Sequence, residues 1–515
     1  MKLLRQAMAW LHTWGGLLFG WPLFAICLTG SLAMFDQEID YWMQPELQAH
    51  RVAPALAAEQ ALAYLQREQP TAKTWTISLP TERTPGLWAA SGGRGASAQA
   101  LDPRTGKALL VRETAGGEFF FRFHFTLNLP RAISGALICL IGMAMFAALV
   151  SGIVIHKKFF KEFFTFRPAK GARSWLDAHN VTGVLVLPFH LMISYSGVLI
   201  FALYYMPAAV QALYKGDADA FYEELYTPGV LPEASPVVPS HLRSAPLAPL
   251  LVLAQREMGP IGSIGIERPG QADARIEVRR VLGNRIALTK GQNMAFDGVS
   301  GQLLSPPPQM RASVLTQRVL FGLHFAQFGG YPVRWLYFFC GLASCAMIGS
   351  GLLLFSHKRR RQARQMSPGA ARGHRLVEGL NTAVMAGLVL ACISLLWANR
   401  LLPAQLPGRV EWELQVFFGV WALSLLHALW RPYRRAWSEQ LWLAAGLCSG
   451  VVLLDSATAV HSPWTAWGQG DGLRAWLDLS ALAIGAALAA IAWRVQRAAP
   501  TPAPARTARG GVQPC

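Results

Sequence analysis

Charged residues are scarce in this sequence of 515 residues. Asp, Glu, Lys and Arg together make up 15% of the chain, whereas hydrophobic residues make up 53%. A soluble protein of this size usually carries roughly a quarter charged residues. The missing charge is concentrated in long apolar stretches, so the deficit indicates a membrane protein and not a large soluble core.

Cysteine is also scarce, and its placement argues against two kinds of chemistry. Six of the seven cysteines lie inside apolar segments, and Cys515 ends a tail rich in Pro and Ala. Because no cysteine lies in a long loop and no CxxC pair occurs, we expect neither an extracytoplasmic disulfide framework nor thiol redox chemistry. The Gly-rich run 92–95 lies in a predicted external loop and is not a dinucleotide-binding fingerprint. The sequence therefore does not predict that this chain binds NAD(P)H.

Acidic residues are outnumbered by basic ones, which gives a net charge of +18. Nucleic acid is not the expected partner, because the densest basic runs, 156–161 and 357–361, directly follow apolar segments. This is the positive-inside pattern, in which Lys and Arg remain at the cytoplasmic face. The pattern predicts a multi-pass protein in contact with membrane lipid, in a bacterial inner membrane, with both termini in the cytoplasm.

Eight apolar stretches approach the roughly 20 residues that a helix needs to cross the hydrocarbon. They lie near residues 11–35, 132–155, 180–206, 332–355, 381–398, 414–430, 440–455 and 474–494. The first stretch has the features of a cleaved signal peptide as well, but the internal repeat described next favours a retained helix. The sequence therefore predicts a polytopic α-helical membrane protein with about eight transmembrane helices.

The spans divide the chain into alternating membrane and external parts. The predicted parts are helix 1 (1–35), a first external domain (36–130), helices 2 and 3 with their cytoplasmic loop (131–206), a second external domain (207–331), helix 4 (332–357), helices 5–8 (376–497) and a disordered tail (498–515). Each external domain ends in a turn in which Asp precedes Gly by four residues, Asp102 to Gly106 and Asp297 to Gly301. Such turns connect strands, so both domains are predicted to be small α+β domains.

The first four helices contain two tandem copies of one unit. His12 precedes Gly30 by 18 residues, and His179 precedes Gly197 by the same interval. The glycines belong to Thr-Gly and Ser-Gly pairs, and further Ser-Gly pairs follow His124 and His324 at similar distances. Each copy crosses the membrane twice, so a pseudo-twofold axis along the membrane normal should relate the two copies.

Seven of the twelve histidines mark the four repeat helices or their edges. They are His12, His124, His156, His179, His190, His324 and His357. A single histidine at a helix end often bonds a headgroup or a carbonyl, but recurrence in both copies makes these residues functional candidates. Cysteine and carboxylate partners are missing, which argues against zinc and di-iron sites. Bis-imidazole haem needs only two opposed histidines and an apolar slot.

Symmetry predicts which histidines face each other. His124 with His324 would form a pair at the external face. At the cytoplasmic face the sequence leaves two combinations open, His12 with His179 and His156 with His357. We expect His179 to be indispensable and His357 to be dispensable, because three arginines near His357 suggest a solvated headgroup contact.

His190 has no counterpart in the first copy, where Leu23 stands at the matching place. It follows His179 by 11 residues, which in a straight helix leaves about 20° of rotation and ~16 Å of rise. The two would then share a helix face and could serve two haems. The alternative is a polar contact to a neighbouring helix beside Pro188.

Two segments resemble a known family. The runs 151–158 and 175–183 are similar to the PepSY-associated transmembrane helix family, as are Leu11-His12 with Gly15-Gly16 and Thr29-Gly30. The likeness covers roughly residues 1–360, and the external loops resemble PepSY domains. Helices 5–8 match no family that we can name, so the resemblance leaves their role open.

The resemblance implies iron chemistry, because members are iron-regulated membrane proteins and some are haem-containing ferric-siderophore reductases. Two b-type haems would carry electrons from a cytoplasmic donor protein or quinol to the external side. There Fe(III) held by a siderophore would be reduced to Fe(II), with a siderophore transporter as a further possible partner. The alternative is a non-catalytic membrane scaffold, whose external domains bind a peptide or a transporter and whose histidines are structural.

Overall fold

A computed structural model describes the chain in twelve ranges. They are residues 2–49, 52–92, 97–156, 166–168, 170–221, 242–283, 285–288, 292–307, 310–362, 367–459, 463–468 and 471–497. The predicted tail 498–515, most of the basic run that follows His156 and most of the Gly-rich run 92–95 lie outside these ranges.

The described residues are mostly helical. The helices are α1 (Lys2–Leu32), α2 (Asp36–Met43), α3 (Pro54–Glu68), α4 (Glu118–Thr126), α5 (Arg131–Ile155), α6 (Ala172–Leu185), α7 (Leu187–Ile200), α8 (Ala202–Tyr205), α9 (Ala208–Tyr214), α10 (Leu247–Met258), α11 (Ala312–Phe325), α12 (Gly330–Gln362), α13 (Pro368–Thr382), α14 (Leu388–Leu401), α15 (Arg409–Trp430), α16 (Tyr433–Thr458), α17 (Pro463–Gly468) and α18 (Leu473–Arg497). A 3₁₀ turn (Ala33–Phe35) joins α1 to α2, and a π-helical segment (Ala383–Gly387) joins α13 to α14. The strands are β1 (Thr74–Ser78), β2 (Leu87–Ser91), β3 (Ala98–Leu101), β4 (Ile261–Glu267), β5 (Arg275–Arg280), β6 (Asn293–Asp297) and β7 (Leu303–Ser305).

Seven helical stretches within the described residues are long and apolar enough to cross a membrane. They are Leu3–Met43, Arg131–Ile155, Gly330–Arg360, Pro368–Leu401, Arg409–Trp430, Tyr433–Thr458 and Leu473–Arg497. The bent pair α6 and α7 meets the same criteria when it is counted as one span, which makes eight. The prediction of a polytopic helical membrane protein is confirmed.

The third predicted span, 180–206, differs from the structure. Helix α6 already begins at Ala172, and the chain bends by 69° between α6 and α7 at Val186. Pro188 lies in the first turn of α7, where its missing N–H and its ring prevent the preceding helix from continuing. His179 and His190 therefore lie on two differently directed helices, and the prediction that they share one helix face is wrong.

The two copies pack together in the membrane as a single bundle. Helix α1 contacts α5 and α12, α12 also contacts α6, and α7 contacts α5. Glycines allow close approach, because a Cβ on Gly20 would lie 2.9 Å from the side chain of Leu352. We call these five helices the repeat bundle. The end from which the chain enters the strands is its sheet end.

All seven strands form one antiparallel sheet in the order β3-β2-β1-β4-β5-β6-β7. The sequence predicted separate domains at 36–130 and 207–331, but β1 pairs with β4, with Ile77 opposite Ile264. Both side chains are fully buried beneath α3 and α10. Pairing the first strand of each copy covers a strand edge that would otherwise be open to other chains.

The Asp-Gly turns confirm the duplication at atomic level. Gly106 donates its N–H to the carbonyl of Asp102 at 2.8 Å, and Gly301 donates to that of Asp297 at 3.0 Å. Both glycines have a positive φ, 68° and 74°, which glycine adopts without strain. In both turns the aspartate side chain accepts the N–H two residues later. The two turns end equivalent strands, β3 and β6.

Helices α13–α18, which we call the C-terminal unit, are fixed to the repeat bundle by polar contacts. Within the membrane, Asn381 accepts a hydrogen bond from Trp21 and donates one to Ser356, each at 2.8 Å. At the sheet end a set of buried groups joins the unit to α2 and to the segment before α4. This anchor network comprises Trp42, Arg112, Arg400, Arg409, Glu413 and Asp455.

Candidate functional site: two histidine pairs

The first pair joins one histidine from each copy. His12 lies in the N-terminal half of α1, and His179 lies in α6. Their ring centres are 5.9 Å apart and their planes meet at 72°. The structure thus brings together one of the two combinations that the sequence left open. We call it the inner pair.

The second pair has the same construction at the sheet end. His124 lies in the short helix α4, just before α5, and His324 lies in α11, just before α12. Their ring centres are 6.1 Å apart and their planes meet at 43°. This is the combination that symmetry predicted for the external face, and we call it the outer pair.

The two pairs lie near opposite ends of the repeat bundle. Helix α1 relates them, because it carries His12 itself and, 18 residues later, Gly30, which faces the ring of His124. Eighteen helical residues rise by about 27 Å, close to the hydrocarbon thickness. The histidines therefore form two layers separated by most of the depth of the membrane.

All four rings are oriented by the same kind of hydrogen bond, in which Nδ1 donates to a main-chain carbonyl of another span in the same copy. The bonds run from His12 to Ala148 (3.0 Å), from His179 to Met347 (2.7 Å), from His124 to Ile26 (2.8 Å) and from His324 to Ile193 (3.1 Å). A carbonyl only accepts, so the ring proton lies on Nδ1 and the lone pair on Nε2. Each ring is thus held by its own copy, while its partner belongs to the other copy.

Burial also affects the protonation of the outer pair. The helices α4 and α11 lie outside the membrane-spanning segments, yet loss of hydration lowers the pKa of His124 and lowers that of His324 to about 3. Both imidazoles are therefore neutral at physiological pH. Neutral imidazole is the form that binds a metal ion.

The remaining candidate histidines take other positions. His156 ends α5, four residues after Gly152, and His357 lies in α12, six residues after Gly351. Both follow the glycines that face the inner pair, Gly152 and Gly351, but neither belongs to the two pairs. His190 is fully buried in α7, and neither of its ring nitrogens has a hydrogen-bond partner among the described residues.

Helix α4 is supported by helices to which the sequence gave no role. Phe119 and Phe123 of α4 pack against Phe417 of the C-terminal unit, with ring centres 4.8 and 5.8 Å apart. Glu413 accepts the N–H of Ala115, which lies three residues before α4. The C-terminal unit therefore holds the helix that carries His124. A carboxylate at the edge of a predicted span, Glu413 just before 414–430, was the available sequence signal for this contact.

Comparison with known proteins agrees with this duplicated architecture. The model of the PepSY-associated TM region matches residues 9–358. A curated relative from Pseudomonas aeruginosa, the uncharacterized protein PA4219, is 26% identical over 395 residues, which cover 71% of this chain and 92% of the relative. The family match spans the repeat bundle, the sheet and both histidine pairs. The chain belongs to the PepSY-associated transmembrane family.

Proposed function

We propose that the protein carries electrons through the bacterial inner membrane on two b-type haems and reduces Fe(III) held by a siderophore on the periplasmic side. The observation that carries the proposal is the spacing of the two pairs, 5.9 and 6.1 Å between ring centres. A bond from a metal to an imidazole nitrogen is about 2 Å long, so two opposed rings on one metal have centres roughly 6 Å apart.

The residues present fit haem in their chemistry as well as in their spacing. Haem bound between two imidazoles supplies one-electron chemistry. His12 and His179 would hold one group and His124 and His324 the other. The carbonyl bonds at Nδ1 leave Nε2 as the free ligand atom in every ring and orient it, as second partners of metal-binding histidines commonly do.

The two layers would provide a path for an electron from one side of the membrane to the other. A donor on the cytoplasmic side, either a separate protein or quinol, would deliver one electron to the inner site, and the outer site would pass it to Fe(III). The reduced Fe(II) is softer than Fe(III) and is held less tightly by the oxygen ligands of a siderophore. Reduction would therefore release iron, which a transporter could then take up.

Orientation follows from the basic clusters at the inner end of the bundle. Arg359 and Arg360 in α12 lie beyond Gly351, which faces His179, so the inner pair lies at the basic end. By the positive-inside rule, this supports a cytoplasmic position for that end and a periplasmic position for the sheet.

Reporter fusions test this orientation. Fusions at Gly92, which follows β2, and at Asp273, which precedes β5, should both read as periplasmic because their strands belong to one sheet. A fusion at Ser367, which precedes α13, should read as cytoplasmic. A cytoplasmic signal from either sheet position would contradict the orientation.

Absorbance spectroscopy tests the haem proposal. The purified protein should show the reduced-minus-oxidised bands of b-type haem, with two haems per chain. His179→Ala should lose the inner haem and the reduction of periplasmic Fe(III), whereas His357→Ala should retain both. Wild-type protein without these bands would instead support the membrane scaffold, and a fully loaded, active His179→Ala variant would refute the inner pair.

A further inference from the structure

A glycine lies beside every ring of the two pairs. In each case the carbonyl that accepts the bond from Nδ1 precedes this glycine by four residues on the same helix. The carbonyl and glycine pairs are Ile26 with Gly30, Ala148 with Gly152, Ile193 with Gly197, and Met347 with Gly351. All four glycines follow Ser or Thr, so these are the Thr-Gly and Ser-Gly pairs of the sequence repeat.

Helix geometry explains why the residue four positions later must be glycine. Side chains of a helix point towards its N-terminus and cover the preceding turn. A side chain at position i+4 therefore covers the carbonyl of residue i and keeps other donors away. Glycine leaves this carbonyl open, and it leaves room for an imidazole at the same place.

The available room differs between the two layers. A Cβ on Gly30 would lie 2.5 Å from Nδ1 of His124, and a Cβ on Gly197 would lie 2.8 Å from Cε1 of His324. These distances are shorter than any van der Waals contact. Alanine at either position would force the ring or the backbone to move, and at Gly30 it would meet the nitrogen that donates to Ile26.

The inner pair is less tightly enclosed. A Cβ on Gly152 would lie 3.3 Å from Cε1 of His12, and a Cβ on Gly351 would lie 3.2 Å from the ring of His179. A shift of a few tenths of an ångström would relieve such contacts. The same substitution should therefore have a mild effect at the inner pair and a severe one at the outer pair.

Hydroxyl groups reinforce two of the four bonds. The Oγ of Ser151 lies 3.2 Å from Nδ1 of His12, and the Oγ of Ser196 lies 3.1 Å from Nδ1 of His324. Both serines precede the glycine of their pair. Their hydroxyls also donate to carbonyls of the preceding turn, so they are part of the same arrangement of carbonyl, glycine and ring.

We propose that Gly30, Gly152, Gly197 and Gly351 are positioning residues of the two sites. Each glycine opens one carbonyl and one ring-sized recess, which together fix the rotation of an imidazole and keep its proton on Nδ1. The identity of the bound group rests on the proposed function, but the effect on the rings does not. The four glycines set the angle between the paired rings and the direction of each Nε2.

Graded Gly→Ala variants test the proposal in the haem-loaded protein. Gly30→Ala and Gly197→Ala should lower the affinity for the outer haem about 10–100-fold, as losses of second partners do at metal sites. Gly152→Ala should keep both haems and should change only the spectroscopic signal of the inner haem. The electron paramagnetic resonance signal of a ferric bis-imidazole haem depends on the angle between the ring planes, which is 72° in the inner pair and 43° in the outer pair. It therefore reports each site separately.

The chain offers matched controls. Among the described residues, a Cβ on Gly419 of α15 or on Gly446 of α16 would meet no other group within 4 Å. Alanine favours helix more than glycine does, so Gly419→Ala and Gly446→Ala should leave the signals and the midpoint potentials of both haems unchanged. Unchanged signals and potentials in Gly30→Ala would overturn the proposal.

A second measurement does not depend on haem. In haem-free protein labelled with ¹⁵N-histidine, the chemical shifts of His124 should show a proton on Nδ1, and Gly30→Ala should abolish that preference. If wild-type protein binds no haem, the proposed function fails, and the ¹⁵N spectra still decide about the glycines. An Nδ1 proton retained unchanged in Gly30→Ala would refute their role.

Discussion

His324→Ala should remove one of the two haems and leave the other in place, and His124→Ala should give the same result. The two residues come from different copies, but they would hold opposite faces of one haem, with ring centres 6.1 Å apart. Loss of either ring would leave a single histidine to hold that haem. The inner pair keeps both of its carbonyl bonds in these variants, since those bonds involve α5 and α12. Haem content per chain and the signal of the remaining haem are the measurements.

His190→Leu is the matched control for these variants. Leucine is the residue of the first copy at this place, Leu23, and His190 buries two ring nitrogens that have no hydrogen-bond partner in the described part of the chain. The variant should therefore keep both haems and unfold at an unchanged or higher temperature. Loss of a haem in His190→Leu, with full content in His324→Ala, would replace the outer pair by one that includes His190.

Because the histidine pairs depend on symmetry, the sequence could predict the outer pair and could limit the inner pair to two combinations. Equal spacing from histidine to glycine in both copies defines an axis, and an axis along the membrane normal places equivalent residues opposite each other. The carbonyl bonds could not be predicted in the same way. The bond of His12, for example, goes to a residue more than 130 positions later. It therefore depends on which helix packs beside α1.

The position of His190 illustrates how a periodicity argument fails. The interval from His179 indicates a shared face only while the helix continues straight, and the chain bends by 69° at Val186. Pro188 was the warning in the sequence, since proline removes a helical hydrogen bond. The joined sheet escaped prediction for a related reason, because β1 and β4 come from different copies and the pattern of neither copy alone shows that they pair.

The C-terminal unit gives the outer pair an asymmetric support. Helix α4 packs on α15 through Phe119 and Phe123. Helix α11, its counterpart, contacts mainly α7 of its own copy. His124 therefore depends on the C-terminal unit in addition to α1 of its own copy, whereas His12 and His179 depend on spans of the repeat bundle alone. A change in the anchor network should thus reach the outer haem before the inner one.

Glu413→Ala should destabilise the protein strongly and loosen its outer haem. The carboxylate is fully buried, pairs with the fully buried Arg409, and accepts hydrogen bonds from Asn399, Thr114 and the N–H of Ala115. Removal of one member of a buried ion pair leaves an unpaired charge and costs about 3–5 kcal/mol. The thermal unfolding midpoint and the haem signals are the measurements, and the outer signal should change first.

Two comparisons separate the buried charge from the support of α4. Glu439→Ala removes a partly exposed partner of Arg431 and His427 and should change the midpoint little, because solvent screens these contacts. The double variant Arg409→Met with Glu413→Leu removes both buried charges and should recover much of the stability. It should not restore the outer haem signal, because leucine cannot accept the N–H of Ala115 or the hydroxyl of Thr114. An outer signal that recovers together with stability would show that α4 is held by apolar packing alone.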